Sequence, residues 1–139
     1  MAEKDRNINA FDSSPKGTKV EEVSFATHEA KLDYISDTIK KLIRVQEFSA
    51  EQILILIPGR KADSCLALVD RIGGYELTAL GRQGSFRSGV IHYTNISVFK
   101  GLEADAVVLC TDGRDDDAAA RRGLYTSASR ARHVLCVVN

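Results

Sequence analysis

A chain of 139 residues has room for one domain, with a core large enough to stand without disulfide or metal staples. Nineteen Lys and Arg balance nineteen Asp and Glu. The whole chain therefore exerts no field that gathers nucleic acid or membrane, and any such contact must come from a local patch. No apolar run approaches the roughly 18–20 residues of a membrane span, and no signal-peptide pattern opens the chain. Cys65, Cys110 and Cys136 sit inside apolar runs without metal-knuckle or CxxC spacing. Their expected state is reduced core thiols, in the cytoplasm.

Residues 1–19 are polar and aperiodic and read as a flexible lead-in or linker; residues 20–139 read as the domain. Val20 to Ala26 suggests a strand. His28 to Glu47 carries Leu32, Ile35, Ile39, Leu42 and Ile43 at helical spacing, with Lys31, Asp37, Lys40, Lys41 and Arg44 assigned elsewhere. Thr27 is its expected cap. Gln52 to Ile57 is a continuous apolar run stopped by Pro58 and Gly59, the pattern of a strand covered on both faces. A second helix is expected through Ala62, Cys65, Leu66, Val69 and Ile72, with Gly73 and Gly74 ending it. Tyr75 to Leu80, Val90 to Ser97, Ala106 to Cys110 and Val134 to Val138 read as further strands, and Arg121 to Arg132 as a helix. The alternation predicts a three-layer α/β domain with a mostly parallel sheet.

Two stretches carry the chemistry. In NISVFKGLEADAVVLC, from Asn95, a Lys-Gly-Leu-Glu turn joins two strands. Glycine lets the backbone turn and a ligand approach, and the turn bears one cation and one carboxylate. Its expected place is the region where open α/β sheets bind ligands. In GLYTSASRARHVLCVV, from Gly123, a helical wheel at ~100° per residue groups Leu124, Tyr125, Ala128 and Ala131 and points Arg130 away from them. The plainer readings are a surface ion pair for Lys100 and Glu103, and a helix C-terminal cation for Arg130 and Arg132.

In sequence and order these stretches resemble motifs V and VI of the UvrD/Rep-type superfamily 1 helicases. Lys100, Gly101, Leu102 and Glu103 match the first core, and Tyr125, Ser129, Arg130, Ala131 and Arg132 the second. Gln52 to Ile57 with Pro58, Gly59 and Arg60 looks like the segment that opens the family's second motor domain. The resemblance implies a RecA-like, P-loop NTPase-like fold and the C-terminal motor domain of an ATP-dependent DNA helicase or translocase. It implies that Lys100, Gly101, Glu103 and Arg130 face the nucleotide, with Glu103 at the ribose and Arg130 as arginine finger. Arg60, Asn95 and Ser97 would border single-stranded DNA. Asn95 and Ser97 stand where the family often has Thr and His, and both can still hydrogen-bond phosphate or sugar.

No G-x-x-x-x-G-K-[ST] occurs in the chain, so there is no cradle for the β and γ phosphates. ATP and Mg²⁺ would be held mainly by an N-terminal RecA-like partner domain, and the chain alone would be inactive as an ATPase. Asp115, Asp116 and Asp117 read as a helix N-terminus rather than a metal site. Arg60, Lys61, Arg82 and Arg87 are candidates for a basic rim. A stand-alone nucleic-acid or protein binding module that keeps the fold without catalysis is the alternative.

Overall fold

The computed structural model describes residues 9–11, 19–57, 61, 64–80, 86–95, 104–110 and 131–138. Eight strands are placed: β1 (Asn9–Phe11), β2 (Lys19–Val23), β3 (Ile53–Ile57), β4 (Arg71–Ile72), β5 (Tyr75–Ala79), β6 (Ile91–Asn95), β7 (Ala104–Cys110) and β8 (Ala131–Val138). They lie in the order β1-β2-β8-β7-β3-β6-β5-β4. Every pairing from β2 across to β5 is parallel. Only the outermost pairs, β1 with β2 and β4 with β5, are antiparallel. The mostly parallel α/β sheet expected from the alternation is therefore observed.

All five residues of β3 are buried. Ile53, Ile55 and Ile57 join one core cluster with Ile35, Ile39 and Leu42 of the helix α1 (His28–Arg44), while Leu54 and Leu56 join a second cluster with Val107, Leu109, Leu135 and Val137. Successive strand residues point to opposite faces, so the sheet is covered on both. This is why the run lacks polar alternation. Each such side chain contributes roughly 1.5–3 kcal/mol on burial.

Helix α1 begins as its sequence requires: Thr27 Oγ1 accepts the Ala30 N–H at 3.1 Å. It closes with Glu47 at φ 61° and the Phe48 N–H donating to the Leu42 carbonyl at 3.0 Å. Lys31 departs from expectation. It is buried, one turn before Ile35 on the inward stripe, because positions 31, 35 and 39 share a face.

The second helix is absent among the described residues of 61–72. Ser64, Ala67 and Val69 each donate a backbone bond three residues back, and Ser64 Oγ bonds both the Lys61 carbonyl and the Leu66 N–H. A serine side chain that takes up backbone groups this way offers the chain an alternative to helix. Arg71 and Ile72 instead form β4, which turns through Gly73 and Gly74 into β5 with Ile72 opposite Tyr75. Both glycines have positive φ, 60° and 90°, as a two-residue hairpin of this hand needs. A Cβ on Gly73 would lie 2.8 Å from Cγ2 of the fully buried Ile39. Gly73→Ala is expected to cost about 1–2 kcal/mol for the left-handed backbone and roughly 1–3 more for overpacking. Urea denaturation measures the sum; an unchanged midpoint would contradict this packing.

Two further differences concern the ends. Asn9–Phe11 adds an edge strand to β2 from a stretch without periodicity. Ala131 and Arg132, expected to close a helix, are instead the first residues of β8, where Ala131 is buried and paired with Ala104; the rest of that expected helix lies outside the described residues. Arg132 is consequently a strand residue, not a helix C-terminal cation, and the helical wheel cannot be carried through Ala131.

Candidate functional site at the two sheet edges

Since β2, β8, β7, β3, β6 and β5 run in parallel, each edge of the sheet collects one kind of terminus. At the carboxyl edge, Ile57 and Asn95 end β3 and β6 and are register partners. The segment bearing Arg60 leaves from the first, and the segment bearing Ser97 from the second. Asn95 itself is half-buried. Lys61 lies 6.0 Å from the centre of the Tyr93 ring and donates to the Ala67 carbonyl at 3.4 Å. On the α1 side of the sheet the Cys65 thiol, hydrogen-bonded with Cys110, is brought down to about 7, with the Lys31 ammonium adding to the effect; the wholly buried Cys110 is pushed up.

At the amino edge, Ala104 opens β7 and Ala131 opens β8, and the two are register partners. Neighbouring parallel strands lie about 4.8 Å apart. Glu103 and Arg130 are each joined by one peptide bond to this pair. Arg60, Ser97, Lys100, Gly101, Glu103 and Arg130 themselves lie outside the described residues, as do Asp112 and Asp115 to Asp117. Glu103 thus precedes a strand. β7, the strand that follows Glu103 in the chain, starts at the amino edge, not at the carboxyl edge where open sheets commonly bind ligands. Strand polarity is the reason: a crossover between parallel strands must return to the opposite edge.

A chain of polar contacts runs along the amino edge. Glu51 Oε1 accepts the Gly89 N–H at 3.0 Å, which with other backbone contacts holds its carboxyl below the usual range. Gln52 Oε1 accepts the Ser49 N–H at 2.7 Å, and its Nε2 donates to Asp105 Oδ2 at 2.9 Å. Asp105 Oδ1 lies 3.8 Å from an Arg132 guanidinium nitrogen and 3.9 Å from His133 Nε2. Between the pairs Ala104–Ala131 and Ala106–Val134, two β8 residues stand opposite the single Asp105, a bulge that turns both Arg132 and His133 toward it. Glu51, Gln52, Phe86, Ala104, Asp105 and Arg132 line a shallow pocket of about 160 Å³.

His92 supports this edge from beneath. Its Nε2 accepts the Arg87 N–H at 3.0 Å, and its ring meets Phe86 edge-on at 5.1 Å. Burial, reinforced by the Arg87 charge, keeps the imidazole below its ordinary range. A neutral ring accepting at Nε2 carries its proton on Nδ1, which is buried without a hydrogen-bond partner.

Sequence reasoning missed Glu51, Gln52, Asp105 and Phe86. Two signals were present: Ser49-x-x-Gln52 has the capping-box spacing just before an apolar run, and Asp105 is the one charge within ADAVVLC. Among the described residues no group of His, Cys, Asp and Glu is arranged to hold a metal, and no helix is long and apolar enough to cross a membrane.

Residues 91–138, from the first residue of β6 to the last of β8, match the family model of the UvrD-like helicase C-terminal domain. In fold the chain is similar to the C-terminal domain of a possible DNA helicase from Lactobacillus plantarum, with a TM-score of 0.65 at 23% identity, over 88% of this chain and 73% of that one. No curated protein matches the chain. The resemblance carried by Lys100 to Glu103 and Ser129 to Arg132 is thereby borne out: residues 91–138 are similar to a UvrD-like helicase C-terminal domain, and the chain shares the fold of that solved domain.

Proposed function

We propose that this chain is the second motor domain of an ATP-dependent DNA helicase or translocase, working in the cytoplasm against an N-terminal RecA-like domain. That partner binds most of ATP and Mg²⁺ in its P-loop. This chain adds Lys100, Gly101, Glu103 and the Arg130 finger at its amino edge, and Arg60, Asn95 and Ser97 along single-stranded DNA at its carboxyl edge. Closure of the two lobes brings the guanidinium to the γ-phosphate, and opening releases it, so that each cycle moves one strand.

The observation that supports this most is strand polarity. The strands that follow Glu103 and Arg130 in the chain start at one edge, and those that precede Arg60 and Ser97 end at the other; within each pair the terminal strand residues are register partners, Ala104 with Ala131 and Ile57 with Asn95. Guanidinium suits the finger because it is planar, permanently charged and forks onto phosphate oxygens.

The two edges can be tested separately in a motor that joins this chain to a P-loop domain. Glu103→Ala is expected to lower kcat/KM for ATP while leaving single-strand affinity unchanged. Arg60→Ala is expected to weaken single-strand binding and reduce its salt slope by about one, with unstimulated ATP turnover retained. Loss of DNA binding from the first change, or of ATP turnover from the second, would overturn the division. Tight, salt-sensitive DNA binding by this chain alone would instead favour a binding module.

A further inference from the structure

We infer that His92 and the loop from Phe86 to Gly89 form a proton-sensitive latch at the amino edge, closed while the imidazole accepts the Arg87 N–H and released when the ring gains a second proton. Three contacts make the latch. His92 is 1% exposed, and its Nε2 takes the Arg87 N–H at 3.0 Å. Phe86 meets the ring edge-on at 5.1 Å and helps to line the pocket of about 160 Å³ shared with Gln52 and Asp105. Gly89, at φ 81°, donates its N–H to Glu51 Oε1 at 3.0 Å. One end of the loop is thus anchored on a histidine and the other on a carboxylate.

The two anchors answer differently to acid. Neutral His92 carries its proton on Nδ1, which is buried without a hydrogen-bond partner. A second proton must go to Nε2, the atom that accepts from Arg87. Two N–H groups then face each other, and Nδ1 gains nothing in exchange. A buried charge without a partner is costly. The surroundings offer little relief. Register places Leu54 of β3 and Thr78 of β5 beside His92; Leu54 does not titrate, and Thr78 donates to Glu76 on the same face of β5. Asp105 and Arg132 share the pocket with Phe86 and face each other. Burial and the Arg87 charge oppose the proton, and Glu51 favours it with the smallest effect. Opening the loop lets water reach the ring, so the open form binds the proton better. The closed form, with its imidazole held below the ordinary 6.5, is fully favoured above that pH and loses ground as pH falls below it. Glu51, whose carboxyl is held below the usual range, stays ionised over the same window. Gly89 therefore remains tied, and the loop swings about it, taking Phe86 off the wall of the pocket.

Amide exchange in the intact 139-residue chain reads both anchors at once. Protection factors cancel the intrinsic pH dependence of exchange. Between about pH 7.5 and about pH 5.5 the Arg87 amide should lose protection several-fold, up to about tenfold, the limit for one proton bound near 6.5. The Gly89 amide should keep its protection. His92→Gln sets an amide oxygen near the place of Nε2 and cannot titrate, so its Arg87 protection should not vary with pH. If that variant does not fold, NMR titration of the His92 ring in the parent serves the same end: ring and Arg87 amide should follow one curve. Arg87 protection unchanged to within about twofold over this range overturns the inference. So does a parallel loss at Gly89, which marks general unfolding, an equal loss in His92→Gln, or a ring that titrates apart from the amide.

Discussion

Replacing Arg130 with Ala in a motor that joins this chain to a P-loop domain is expected to lower ATP turnover about 10³- to 10⁵-fold, with ATP binding nearly intact. The size follows from when the interaction is made. Charge on the transferring phosphoryl oxygens is best met by a donor placed before the reaction in a site closed to water. A group acting mainly on the transition state lowers kcat far more than it raises KM. Arg130→Lys should remain nearly as slow, because a point charge on a flexible stem does not reproduce the planar fork. Steady-state turnover, set beside the affinity for a non-hydrolysable ATP analogue, reads both quantities. Turnover within a few-fold of the parent would remove Arg130 from catalysis.

The second large effect is on stability. Ile55→Ala is expected to cost about 2–5 kcal/mol, a large share of the 5–15 kcal/mol that usually separates folded from unfolded domains. Ile55 is fully buried at the middle of the central strand, with Tyr93 opposite on β6 and Val108 on β7. It belongs to the cluster under α1, so the void opens where helix and sheet meet. Strands paired on both sides cannot close in on such a void without breaking ladder bonds, which places the cost toward the upper end. Leu68, 97% exposed, is the internal control: Leu68→Ala should stay within about 0.5 kcal/mol. Equilibrium urea unfolding of both variants checks the contrast, and equal midpoints would contradict the assigned core.

Much of this was legible in the chain itself. The run ILILI announced a doubly covered strand because no polar residue breaks it, and the start of α1 followed from Thr27 and the apolar spacing, although the helix ends at Arg44 rather than Glu47. The errors have local causes. From Ala62 to Ile72 the apolar spacing suits a helix, but Ser64 bonds its own neighbouring backbone, and Ile72-Gly-Gly-Tyr75 spells a hairpin as readily as a helix stop. The charge of Lys31 argues for solvent, whereas its position puts it on the inward stripe. For the site, the motifs named residues but not edges. Only the direction of the strands and the register Ala104–Ala131 make neighbours of the strand starts that follow Glu103 and Arg130 in the chain. The contacts of Asp105 depend on a bulge, and a bulge leaves almost no mark in one sequence.

The pairing of β2 with β8 joins Lys19–Val23 to Val134–Val138, so strands from the two extremes of the chain are hydrogen-bonded neighbours. Among the described residues no other ladder joins β1-β2 to the remainder of the sheet. Contacts separated by so many residues carry a large loop-closure entropy before they return any stabilisation, which makes for slow folding. During synthesis, β2 therefore lacks its β8 partner, open to aggregation or to chaperones, until Val138 has cleared the ribosome.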